Sequence, residues 1–217
     1  GGGQALAGPA FPASTTFTEF AEEGSIDSRH EPGDGALLEA GVWRGMSRRI
    51  GVAFTFERSR REAPGTFSAV FPHPLYLARP RAAEGALPAG AQREMAVHFG
   101  LVWSATLGGV TARIAGGPSY VLAEADLPEQ ILHAEEYPYD EVTVTGARTA
   151  VARGDALGAH AGLTLERRLA GRLALGAGAR WSRATIPLAL RAEGGGLTST
   201  RLRAGGITAA ASIRLYF

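Results

Sequence analysis

Nine side chains of this 217-residue chain have the types needed for proton transfer, ion pairing or metal ligation as a set: Glu39, Glu57, Glu94, His98, Arg113, His160, Glu166, Arg180 and Arg214. Each stands at a polar position of a stretch that alternates polar with apolar residues. In 49–58, Ile50, Val52, Phe54 and Phe56 fall on one side and Glu57 on the other. Period-two alternation is the mark of a β-strand with two unlike faces. The nine residues therefore share one face of a sheet. If that sheet closes with the polar face inward, its charges must be paired and hydrogen-bonded. The expected chemistry is a packed carboxylate–guanidinium network filling the interior, in preference to a gated conduit. His98 and His160 lie on that face without the further ligands that a metal site requires. They are read as hydrogen-bonded interior histidines, and no metal or cofactor is expected.

Other candidate motifs are weaker. Glu124, Asp126 and Glu129 with the acidic run 135–141 lack the spacing of a calcium loop, so a solvated acidic loop is expected. Gly194-Gly195-Gly196 precedes no helix and is read as a turn, not a phosphate cradle. Net charge is +1 with the signs interspersed, which gives no electrostatic footprint for nucleic acid. The chain has no cysteine, hence no disulfide framework. No apolar run is long enough for a spanning helix.

The elements that must position these residues are eight predicted strands, at 14–23, 36–44, 49–58, 92–104, 109–122, 156–167, 171–183 and 203–217. Residues 1–13, rich in Gly, Ala and Pro, are expected to be a flexible leader. Links after the second, fourth and sixth strands are short. Those after the first, third, fifth and seventh, about 24–35, 59–91, 123–155 and 187–202, read as long loops. An even strand number with short turns at one end and long loops at the other is the pattern of small transmembrane barrels. Trp43, Trp103, Trp181, Tyr216 and Phe217 fall near strand ends, where aromatic girdles mark membrane interfaces.

The closing stretch, 203–217 (RAGGITAAASIRLYF), alternates strictly and ends on Phe217. It resembles the last strand of bacterial outer-membrane β-barrels of the OmpA type, and segments such as Phe71-Pro72-His73-Pro74 and Tyr137-Pro138-Tyr139-Asp140 are similar to loops of uncharacterised outer-membrane β-barrel domains. The resemblance runs from Ser14 to Phe217. It implies an all-β, eight-stranded, antiparallel up-and-down transmembrane barrel in the outer membrane, after removal of a signal peptide. Lipid-modifying barrels place a closely spaced histidine and serine at the rim; His98 has no serine before Ser104, so no enzyme activity is expected. The expected role is structural or interactive, with loops 59–91 and 123–155 offered to an envelope or extracellular protein. The alternatives are a narrow pore or carrier for a small solute, and a soluble lipocalin-like ligand-binding barrel, because alternation alone does not say which face points inward.

Overall fold

A computed structural model describes residues 1–191 and 197–216. The expected turn at Gly194–Gly196 and the expected interface residue Phe217 lie outside the described residues. Ten strands follow in order: β1 (Gly2–Ala5), β2 (Phe11–Glu19), β3 (Glu22–His30), β4 (Gly35–Gly45), β5 (Ile50–Phe71), β6 (Arg81–Leu107), β7 (Val110–Glu135), β8 (Val142–Ala170), β9 (Leu173–Arg191) and β10 (Leu197–Leu215). There is no helix among the described residues.

The strands form one antiparallel sheet that closes into a ring of eight positions. β1 pairs with both β10 and β4, while the β2–β3 hairpin bridges β10 and β5 further along. β1 and β2 thus run in line as one wall of the ring, and β3 and β4 as the next. The breaks between them hold Pro9 and Pro32, which cannot donate to a ladder. The two breaks are tied together, with Gly8 N donating to Pro32 O at 3.0 Å. Register shifts in β5 and β7 fall beside Pro64 and Pro128. Prolines at irregularities leave the ladders intact around them.

Register fixes the tilt. From Ala36 the paired residues run through Arg60, Arg93, Glu124 and Arg153 to Ala189. In the other direction they run through Gln4 and Ala209 to Ala179. The two paths meet ten residues apart on β9. For eight strands that stagger sets the strands at about 40° to the ring axis.

The turns at 46–49, 108–109 and 171–172 are tight, as expected from the sequence. The long loops are not loops. Strand pairing continues through most of 24–35, 59–91, 123–155 and 187–202, leaving only 72–80 and 136–141 as connections between β5 and β6 and between β7 and β8. Nor is 1–13 a flexible leader: Gly2–Ala5 is paired on both edges and Phe11–Ala13 belongs to β2, which turns at Phe20–Ala21 rather than running to residue 23.

The reason is an inversion of polarity along the ring. In the lower half, nearest the three tight turns, apolar side chains face outward: Leu101 is 64 % exposed, Leu157 79 % and Ile213 68 %. The charged set faces inward. In the upper half the faces keep their parity but exchange character. Phe11, Leu127, Ile186, Leu188 and Leu202 form a buried inner cluster, with Phe67, Ala69, Phe71 and Ile131 in a second one above it. Outward positions there carry Arg29, Glu31, Arg60, Glu62 and Glu84. A search for outward apolar residues therefore reads the upper strands as loop.

His30 belongs to this upper core. Its ring stacks on Phe11 at 5.0 Å between centroids and its Nε2 lies 3.3 Å from Ser28 Oγ. Burial, only partly offset by a hydrogen bond to the Ala63 backbone, holds its pKa below the ordinary 6.5. A folded state that binds the proton less well than the unfolded chain loses stability as pH falls below the unfolded pKa. The unfolding midpoint in denaturant should fall as pH drops from 7 towards 5. In a His30→Phe variant that slope should be shallower; an unchanged slope would show that this site does not titrate on unfolding.

Candidate functional site: the charged interior

All nine interior residues expected from the sequence point into the ring. They stand in three tiers, each joining strands far apart in the chain.

The middle tier is built on Arg180 of β9. Its Nη2 lies 2.8 Å from Glu39 Oε2 on β4, and its Nη1 2.7 Å from Glu57 Oε2 on β5. Glu57 Oε2 is also 3.7 Å from His98 Nε2. On its other side His98 Nδ1 meets Ser119 Oγ at 2.7 Å, and the same hydroxyl lies 3.0 Å from His160 Nδ1. The imidazoles are 4.7 Å apart between centroids. The register explains the meeting. Ser119 is directly opposite His98, and His160 is opposite Gly117, one inward position from Ser119 on β7. Space for the His160 ring comes from Gly100, whose Cβ would stand 3.0 Å from Nε2.

The lower tier is built on Glu166. Its carboxylate accepts from Arg113, from the Tyr216 hydroxyl and, at 3.1 Å, from Arg214. Arg113 Nη2 also donates to Tyr216 Oη at 2.8 Å. The Arg113 guanidinium lies 4.8 Å from the Trp43 ring centre, and Arg168 lies 4.6 Å from that of Tyr216. Two expected interface aromatics are thereby corrected: Trp43 and Tyr216 belong to the interior, on the same parity as Glu39 and Arg214. Trp103 and Trp181 do face outward, at 45 % and 46 % exposure. Between the lower and middle tiers is a cavity of about 60 Å³, lined by Glu39, Thr164, Arg180, Thr208, Ser212 and Arg214. A polar space of that size accommodates ordered water.

The upper tier is built on Glu94, which sequence reasoning found, on Arg61, which it missed because 59–91 read as loop, and on Gln92, the uncharged first residue of the predicted strand 92–104. Gln92 Nε2 donates to Glu94 Oε1 at 2.5 Å, Gly205 N donates to Glu94 Oε2 at 3.0 Å, and Arg61 Nη2 donates to Gly205 O at 3.1 Å. Gly205 turns both backbone groups inward by adopting φ +97°, and a Cβ there would meet Ser182 O at 2.5 Å. Only glycine fits. Immediately above begins the apolar core of the upper half.

Glu57, His98 and Ser119 are the residue types of a nucleophilic relay, in the right order. Ser119 is 2 % exposed and its hydroxyl is held between two imidazoles. What the arrangement does is compensate buried charges, by ion pairs in the lower and middle tiers and through the Gly205 backbone in the upper one. No group of three or more potential metal ligands occurs among the described residues. No protein-family model and no curated protein matches the chain.

Glu166 is the most heavily shared acceptor, so its removal should be severe. Breaking a buried pair by deleting one partner costs about 3–5 kcal/mol. Glu166→Ala should lower the unfolding free energy by about that much, and adding Arg113→Met should return part of it. A double-mutant cycle read by denaturant unfolding tests this coupling; strict additivity would show that the pair is not coupled.

Proposed function

We propose that this chain is a transmembrane β-barrel of a bacterial outer membrane whose filled interior supports a surface platform for a protein partner, without enzymatic activity. The observation that carries the reading is the outward apolar band of the lower half. Nine positions separate Arg49 from Arg58 and eleven separate Arg172 from Arg183, and between them the outward residues are almost wholly apolar. Tilted strands of about 9–11 residues cross the hydrocarbon of a bilayer. In water the same band would leave an exposed apolar belt far larger than soluble monomers carry, which argues against a lipocalin-like soluble protein. Trp103 towards the turn end of the band and Trp181 beside Arg183 suit the two interfaces.

The interior favours a platform over a pore. Charges are ion-paired across the ring in the lower and middle tiers, Glu94 and Arg61 are joined through the Gly205 backbone in the upper one, and above them Phe11, Leu127, Ile186, Leu188 and Leu202 close the axis with side chains at most 2 % exposed. The far end is shaped for contact. Leu75, Tyr76, Leu77 and Tyr137 are exposed there, with Leu77 79 % exposed. Their loops are held in place. His73 Nδ1 accepts from Leu75 N at 3.1 Å and Tyr76 N at 3.2 Å, and Arg81 donates to Pro72 O at 2.5 Å and Tyr139 O at 3.1 Å. A loop ordered before contact loses less entropy on binding.

Four measurements test the reading. The purified protein should need detergent to stay monodisperse, and Leu163→Arg, in mid-band, should lower stability in bilayers by about 2–4 kcal/mol; a protein monodisperse without detergent would overturn the membrane assignment. In planar bilayers it should show no steady conductance, whereas one abolished by Arg180→Ala would favour the pore. Cross-linking to envelope proteins should be lost in Leu77→Asp with Tyr137→Ala if the tip is the platform.

A further inference from the structure

A groove of about 380 Å³ lies on the outer surface where the apolar band meets the polar upper half. Its floor is Met95 and Leu122, directly opposite each other and continuous with the band. Arg58, Arg93 and Arg153 stand around it. The row above the floor runs Arg60, Arg93, Glu124, Arg153 across four adjacent strands. Glu124 lies 2.9 Å from Arg153 and 3.7 Å from Arg93, so it holds both guanidiniums in place. Asp155, also in the wall, accepts from the Tyr120 hydroxyl at 2.9 Å. Arg58 and Arg60 form no ion pair among the described residues. Four guanidiniums against two carboxylates leave this site net positive.

We propose that the groove binds the phosphate of a lipid headgroup, the guanidiniums of Arg58 and Arg93 taking the phosphate oxygens and the lipid chain lying along Met95 and Leu122. Guanidinium forks match phosphate geometry and are less strongly hydrated than ammonium groups. Apolar floor and cationic rim are stacked in the order in which a lipid presents chain and phosphate. The opposite edge of the band carries a matching set, Arg44, Arg48, Arg49, Arg167 and Arg172, with no outward carboxylate between them. Guanidiniums thus bracket the band at both headgroup levels. The proposal rests on the membrane reading above and deepens it by naming a ligand chemistry.

The test uses the full chain folded in neutral detergent micelles, with fluorescent phosphatidic acid as probe, phosphatidylcholine as the neutral control and glycerol phosphate as the chain-free competitor. Phosphatidic acid should be retained and phosphatidylcholine should not. Arg58→Gln with Arg93→Gln should weaken retention at least tenfold, while Arg29→Gln, which lies far above the groove, should leave it unchanged. If the double variant fails to fold by circular dichroism, Arg58→Gln with Arg60→Gln breaks no ion pair and asks the same question. Equal retention of both lipids, or unchanged binding in a folded double variant, overturns the proposal. Displacement by glycerol phosphate at concentrations equal to those of the lipid probe would make free phosphate the ligand and overturn the lipid assignment. Failure of the membrane reading shows separately, as a protein that does not float with phosphatidylcholine vesicles.

Discussion

A sheet that closes on itself satisfies its backbone everywhere and leaves its two faces as the only freedom in the design. With eight strands the inner face encloses a column just wide enough for side chains. Whatever points inward must fill that column, and whatever points outward must suit the surroundings at that height. Arg113, Arg180 and Arg214 occupy the column in the lower half, and Leu127, Ile186 and Leu202 occupy it in the upper half. Both are complete solutions to the same filling problem, one by ion pairs and one by apolar packing. The change from one to the other falls at the level of Glu94, Arg61 and Gly205, where a carboxylate is satisfied partly by backbone.

Ionic filling is demanding. A buried pair is no better for stability than a well-packed apolar one, and it fails badly when half is lost. Its use below and not above follows from the outer face. Where the outside is apolar, an apolar inside would leave strands with no polarity difference to fix their register or orientation. A one-residue slip would turn Glu57 or Arg180 outward into the apolar band and strand its partners inside. The charge network is therefore also a register lock for the lower half.

Much of this was legible in residue order. Alternation in 36–44, 49–58, 92–104, 109–122, 156–167, 171–183 and 203–217 placed every member of the charged set on the correct face, and the short links between those strands fell within a few residues of the turns at 46–49, 108–109 and 171–172. The upper half escaped because parity continues while character inverts. Phe67, Ala69 and Phe71 occupy the same odd, inward positions as Glu57, Ser59 and Arg61, yet a reader following apolar residues outward sees the pattern dissolve. Prolines 64 and 128 sit beside register shifts that tolerate them. Trp43 and Tyr216 fall near strand ends, as girdle residues do, but their parity places them inside. The contact of Ser119 with two histidines depends on register across β6, β7 and β8, which no single segment contains.

The strands of the upper half are continuations of those in the lower. β8 alone holds 29 residues, roughly 95 Å of contour or about 70 Å along the axis at the tilt set by the register. Only about 27 Å of that height corresponds to an eleven-residue apolar band. In the proposed orientation the remainder is a stiff mast. It carries the tip formed by 72–80 and 136–141 to a set elevation of about 30 Å above the headgroups, without an intervening linker to absorb bending. A partner engaging Leu77 and Tyr137 would meet them at fixed range and heading, and any torque applied there would reach the bilayer through continuous hydrogen-bonded ladders.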